Sequence, residues 1–302
     1  MTEHAPHLAA PDCLVESRDR LGEGPCWSAS EERLYWFDIR GRALNWYAPG
    51  TGLHNRRDLG LRASAAAVCS QGGLLIATER GLAQWDPEAE ALHLVQPMAL
   101  ETGFRTNDGK IDPHGDFWWS TMDDDGGRRP GTLYRTRRSG ETDVMIEGLH
   151  IANTVSFNAD GRRLYLADSL VQAIFAYDTT DLAHRETFAH TRGQAATPDG
   201  GAMDVEGFLW NAQWGGARLV RYAPDGGIDR IVQMPVQQPT SCAFGGPGLK
   251  TLFITSAWDG LPDAARPTQP LAGGLFAFKP GVAGQPLPLY EGTFPAPESP
   301  HG

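Results

Sequence analysis

Six small polar or acidic residues recur at one phase of this 302-residue chain: Glu23, Ser64, Asn107, Asn153, Asp199 and Ser241. Each stands ten or eleven residues before a short apolar segment, opening at Leu34, Leu74, Phe117, Leu164, Leu209 and Leu252. Together they offer carboxylate, amide and hydroxyl oxygens, with no imidazole and no thiolate among the acidic members. Two carboxylates crowded into a dry site are costly unless a cation offsets them. Oxygen donors favour a hard divalent ion, Ca²⁺ first, with Mg²⁺, Mn²⁺ or Zn²⁺ as alternatives. Asn, Asp and Ser also populate β-turns for conformational reasons alone, and any one of the six fits that plainer reading. That all six share one phase argues for a ring of oxygens rather than six unrelated turns.

The elements that must position this ring repeat with it. The segments LYWFDIRGRALNWYAPGTG, LLIATERGLAQWDPEAE, FWWSTMDDDGGRRPGTLYRTRRSGE, LYLADSLVQAIFAYDTT, LWNAQWGGARLVRYAPDG and LFITSAWDGLPDAARPTQPLAGGLFAFKPG share one plan. An apolar strand with an aromatic is followed by a small or charged turn and a second aromatic-rich strand. Successive copies start 40 to 47 residues apart with no helical stretch between them. Such a period, built of hairpins, is the signature of four-stranded propeller blades. The expectation is an all-β, six-bladed β-propeller forming one domain over residues 1–302, with an ordered core of about 12–292 and frayed ends. The in-phase residues then open the innermost strands and face one another around the axis. Ring closure is expected between a strand near Cys13–Ser17 and one near Leu287–Tyr290.

Composition narrows the function classes. A net charge of −11 argues against nucleic acid or an anionic membrane surface as partner. No run approaches eighteen apolar residues, and the opening MTEHAPHLAAPDC lacks the basic and apolar regions of a secretory signal, so a cytoplasmic location is expected. Cys13, Cys26, Cys69 and Cys242 show no CxxC spacing and read as free, buried thiols. Cys26 and Cys242 fall near the ring, where they read as small packing residues. There is no GxSxG elbow, the nine histidines form no HxH or HExxH pair, and FGGPGLK lacks the GK[ST] ending of a phosphate loop. A closed propeller leaves no free sheet edge, so a monomer is expected.

The local sequences around the ring add a resemblance. LGEGPCW, FRTNDGKIDPHGDFWWSTM, IANTVSFNADGRRLYLAD and TPDGGAMDVEGFLWNAQWGG, with CAFGGPGLKTLFITSA and PLAGGLFAF, are similar to the gluconolactonase/regucalcin (senescence marker protein) family over roughly residues 20 to 292. The resemblance implies a six-bladed propeller, sugar-lactone hydrolysis and one divalent metal in the channel. It places metal ligands on Glu23, Asn153 and Asp199, three residues the phase argument reaches independently. It also implies that Arg105 and Asn107, from an R-x-N-D-G pattern, contact substrate hydroxyls. Their chemistry suits a polyol: Arg is a rigid fork of donors, and Asn carries both a donor and an acceptor.

Lactone hydrolysis fits this constellation. A divalent ion would polarise the ester carbonyl, and Asp199 is the expected general base for water, making it the candidate catalytic residue. The expected substrate is a small sugar lactone of the gluconolactone, xylonolactone or arabinonolactone type. Two alternatives remain at this level: a hydrolase of another ester, such as an organophosphate or aromatic lactone, and a non-catalytic calcium-binding protein. Ser64 and Ser241 are expected at the pocket wall. Asp108 is expected to point away from Asn107 by strand alternation, and Asp123–Asp125 to form a solvated turn. Thr106 and Thr154 depart from the Pro and Gly that many relatives carry, altering the wall without removing a ligand.

Overall fold

The computed structural model describes residues 10–292 and 294. It contains six four-stranded antiparallel sheets. Their innermost strands are Gly22–Ser28, Ala63–Val68, Phe104–Ile111, Ala152–Phe157, Thr197–Met203 and Pro239–Gly245. Each packs against the next and the sixth against the first, which closes a six-bladed propeller around one axial channel.

The sequence alternation explains how neighbouring blades adhere. In the second strand of the first blade, Tyr35 and Phe37 face the second blade while Leu34 and Trp36 face the sixth. Every blade repeats this division, so the core is six apolar wedges, one per interface. Aromatic pairs such as Trp46–Trp85 and Trp118–Phe157 bridge adjacent blades. Each fully buried side chain of this size contributes roughly 2–3 kcal/mol of burial.

Closure differs in one respect from the sequence expectation. The N-terminal strand Asp12–Val15 does complete the last blade, but it pairs with Leu275–Phe278. Leu287–Tyr290 instead belongs to a strap that crosses the lower end of the axis. Gln285 N–H bonds Met203 O at 3.0 Å in the fifth blade, and Tyr290 N–H bonds Val68 O at 2.8 Å in the second. The two prolines of Pro286–Leu287–Pro288 carry no N–H, so the segment suits a strap better than a ladder strand.

All six innermost strands break register at the same height. The shifts fall between Glu23 and Cys26, Ala63 and Ala65, Thr106 and Gly109, Asn153 and Ser156, Pro198 and Gly201, and Pro239 and Ser241. Each inserts one extra residue against the second strand of its blade. A bulge interrupts alternation and redirects side chains. Here six bulges form a belt at the upper end of the channel, where the innermost strands begin.

Candidate active site and metal centre

Glu23, Ser64, Asn107, Asn153, Asp199 and Ser241 are all buried at this belt, one from each blade. Gly24 follows Glu23 at φ 58°, and a side chain there would meet the Ser64 carbonyl at 2.0 Å. Glycine is therefore required for Glu23 to turn inward.

Asn107 and Asn153 are locked by hydrogen bonds. Asn107 Nδ2 donates to Ala152 O at 2.8 Å and to Asn153 Oδ1 at 3.0 Å. Asn153 Nδ2 donates to Ser169 Oγ at 2.8 Å, which fixes its amide oxygen on the channel side. Arg105 Nη1 donates to Asn107 Oδ1 at 2.7 Å and to Thr106 O at 2.9 Å, while Nε donates to Asp124 at 2.8 Å. Among the described residues, Arg105 Nη2 is the guanidinium nitrogen left without a protein partner. Every polar atom of Asn107 is engaged, so it holds Arg105 and Asn153 in place. Ser64 Oγ donates to Thr106 Oγ1 at 2.9 Å and is a wall residue.

The carboxylates are short of donors. Glu23 accepts one hydrogen bond, from Gly24 N at 3.2 Å. Burial, then Asp108, pushes its carboxyl up to about 8. Asp199 is held well above the usual carboxylate range by desolvation first, then by Glu23 and Asp108, with the Arg105 charge and the Gly200 N–H opposing. The interior charges repel one another, and desolvation penalises each.

Asp108 corrects the alternation argument. The bulge at Thr106–Gly109 turns it into the channel beside Glu23 and Asp199. Unlike them, it is well supplied: Val155 N donates at 2.9 Å and Gly109 N at 2.8 Å. It ties the third blade to the fourth.

Thr154 also sits on the belt, at φ 59°. That conformation is strained for a β-branched residue. Its hydroxyl donates to Asp199 O and accepts from Asn211 Nδ2 at 3.0 Å. The strain is thus tied to fixing the backbone that carries Asp199.

Above the belt lies an ion-pair rim that the sequence did not reveal. Asp124 accepts from Arg40 at 2.7 Å, Arg62 at 2.7 Å and Arg105 at 2.8 Å. The acidic turn is therefore divided: Asp123 pairs with Arg129, Asp124 gathers three arginines, and Asp125 lies exposed beside Arg128. Contacts of this sequence separation, 84 residues for Arg40–Asp124, leave no local spacing signal. Cys26 lines the channel and Cys242 packs in the wedge between the fifth and sixth blades; burial pushes both up to about 12, so neither is a ready nucleophile. All four cysteines are free.

The donor set suits one hard cation. Among the described residues, no three carboxylate, imidazole or thiolate side chains converge at metal-binding distance. The set rests instead on two donor-poor carboxylates, Glu23 and Asp199, and the fixed amide oxygen of Asn153, an all-oxygen combination fit for Ca²⁺ or a similar ion.

Fold and site together define a six-bladed propeller with an oxygen-lined site at one end of its axis. The chain belongs to the SMP-30/Gluconolactonase/LRE-like family, whose model matches residues 21–258. It is 36% identical to an L-arabinolactonase of Azospirillum brasilense, covering 93% of this chain and 95% of that protein. It is 32% identical to a 6-deoxy-6-sulfogluconolactonase of Pseudomonas putida, covering 93% and 98%. Among solved structures, a calcium-binding protein, regucalcin, from Agrobacterium tumefaciens matches with a TM-score of 0.88 at 30% identity, covering 94% and 98%.

Proposed function

We propose that the protein hydrolyses a small sugar aldonolactone to its aldonic acid at the upper end of the channel. Glu23, Asn153 and Asp199 would hold one divalent ion there, with Ca²⁺ favoured. The observation that carries this reading is the pair of buried carboxylates left almost without hydrogen-bond donors. The relatives named as lactonases support the substrate class, and the structural neighbour named as calcium-binding supports the ion.

A bound ion supplies charge compensation for the carboxylates and Lewis-acid polarisation of the lactone carbonyl. The chain's residues account for the rest. Arg105 Nη2 donates to a ring or hydroxyl oxygen of the sugar, its plane held by Asp124 and Asn107. This clamp orients the carbonyl toward the carboxylates, and orientation is a large part of the rate. Asp199 takes the proton of the attacking water as general base. The role requires an ionised carboxylate, which burial opposes until the opposing charge is in place. Thr154 and Asn211 hold the Asp199 backbone while this happens.

The test is proton release from gluconolactone, xylonolactone and arabinonolactone by chelator-treated protein re-supplied with Ca²⁺, Mg²⁺, Mn²⁺ or Zn²⁺. Ion-restored hydrolysis that disappears in Asp199→Ala is the expected outcome. Stoichiometric ion binding without hydrolysis of any sugar lactone points instead to the non-catalytic calcium-binding alternative or to another ester.

A further inference from the structure

Below the belt, the same channel widens into a largely apolar chamber. It has a volume of about 260 Å³ and is walled by residues toward the ends of the innermost strands, Trp27, Val68, Ile111, Phe157, Met203 and Phe244. The strap from Gln285 to Leu289 forms its floor. The wall is largely hydrocarbon, in contrast to the oxygen belt above. A dry apolar cavity of about 150 Å³ is enough to take up benzene. By the same scaling, this one has room for about ten non-hydrogen atoms.

Two polar groups in the wall have unused capacity. Ser156 is fully buried, and its Oγ has no hydrogen-bond partner. Lys110 Nζ donates to Gly201 O, which leaves two of its three N–H groups over. Its charge is already opposed within the channel by Asp108, on which it acts directly. A further full charge in the chamber would therefore lack a counter-ion. The wall calls for one neutral acceptor oxygen on an apolar body.

The strap suits a chamber that exchanges its contents. It is tied by backbone hydrogen bonds at Gly284–Gln285 and at Tyr290, and by Gln285 Nε2 to Phe157 O at 3.2 Å. Between these ties, Leu287 and Leu289 line the chamber while remaining partly exposed outside.

We propose that this chamber is a second binding site, for a neutral, mostly apolar molecule of about ten non-hydrogen atoms whose single acceptor oxygen meets Ser156 and Lys110. It lies directly below the acidic belt, which it reaches at Gly24 and Gly109, and is tested separately from lactone hydrolysis.

Calorimetric titration of the full chain with 2-nonanone and with n-butylbenzene tests this. Saturable one-to-one binding of both is expected. Ser156→Ala removes an unpartnered hydroxyl without disturbing packing; it should weaken 2-nonanone roughly tenfold, the worth of one hydrogen bond, and leave n-butylbenzene unchanged. Ala243→Leu, which fills the chamber, should abolish binding of both, with near-ultraviolet circular dichroism reporting that it is folded. Nonanoate should bind more weakly than 2-nonanone. The proposal is overturned if folded wild type takes up neither probe, if both variants bind like wild type, or if nonanoate is the tighter ligand.

Discussion

Buried carboxylates occupy two regions of this molecule, and they are treated in opposite ways. At the blade corners they are saturated. Asp204 accepts from Glu206 N at 3.0 Å, Phe208 N at 3.1 Å, Trp210 Nε1 at 2.9 Å and Arg221 Nε at 2.9 Å. Asp112 repeats the arrangement with His114 N, Asp116 N and Trp118 Nε1. Asp38 and Asp168 do the same for the upper loops of their blades. On the axis, Asp108 is satisfied by Val155 N and Gly109 N, but Glu23 receives one backbone donor and Asp199 only that of Gly200. Burial is common to both regions, so burial does not mark the site. The deficit of donors does, because a buried polar group without partners persists only where something else supplies the compensation.

The sharpest way to break the contrast is to remove one carboxylate from each region. Asp199→Asn should lower lactone hydrolysis by roughly 10³-fold or more, as for loss of a general base that is also a ligand. Its Tm in chelator at pH 8 should rise, since an uncompensated buried charge has gone. Asp204→Ala should do the reverse. It leaves Glu206 N, Phe208 N and the buried Trp210 Nε1 without their acceptor and removes one of the three carboxylates around Arg221, and should cost about 3 kcal/mol of stability in denaturant titration. The turnover of the molecules that remain folded should not change. An Asp199 variant that loses stability as Asp204→Ala does would erase the distinction.

A pH series probes the axial pair from the other side. Glu23 is pushed up to about 8 by burial and then by Asp108, against an ordinary value of 4.5. Between those values the folded chain keeps a proton that the unfolded chain has released. Stability is therefore full below about pH 4.5 and falls as pH rises toward 8. In chelator, Tm should drop across this interval; Glu23→Gln should flatten the drop, and excess Ca²⁺ should reverse it most strongly at pH 8. A flat profile for ion-free wild type would show that the axial carboxylates are compensated by protein groups after all.

The smallest expected effect is at Thr154. Replacement by Gly relieves a left-handed β-branched residue, worth about 1–2 kcal/mol, but deletes a hydroxyl that donates to Asp199 O, worth about 1 kcal/mol. Tm should stay within a few degrees of wild type while kcat falls several-fold. A fall in Tm with unchanged kcat would make the residue purely structural.

The positions of Glu23, Asn153 and Asp199 were legible in the sequence because the blade repeat acts as a ruler and every blade obeys it. Asp108 was misjudged from the same regularity: alternation holds along a strand until a bulge interrupts it, and a bulge has no reliable signature in FRTNDG. The Asp124 cluster was invisible for another reason. Its three arginines arrive from separate blades, and the pairing depends on closure of the ring rather than on neighbours in the chain. Closure itself was half legible. An N-terminal strand near Cys13 was expected to finish the last blade, but the apolar Leu287–Leu289 segment competed with LFAF for its partner, and only the prolines flanking Leu287 argued against it.

Because Asp12–Val15 pairs with Leu275–Phe278, the earliest strand among the described residues completes the last blade. Throughout translation the chain is an open arc, with one exposed apolar flank at each end. Closing the circle joins segments separated by nearly the whole chain, a step whose entropic cost makes it slow. Until it is taken, Glu23 from the first blade has no fixed position relative to Asp199 from the fifth. The proposed site therefore comes into being only when the ring closes, and a chain that has not closed is left with two sticky faces and no site.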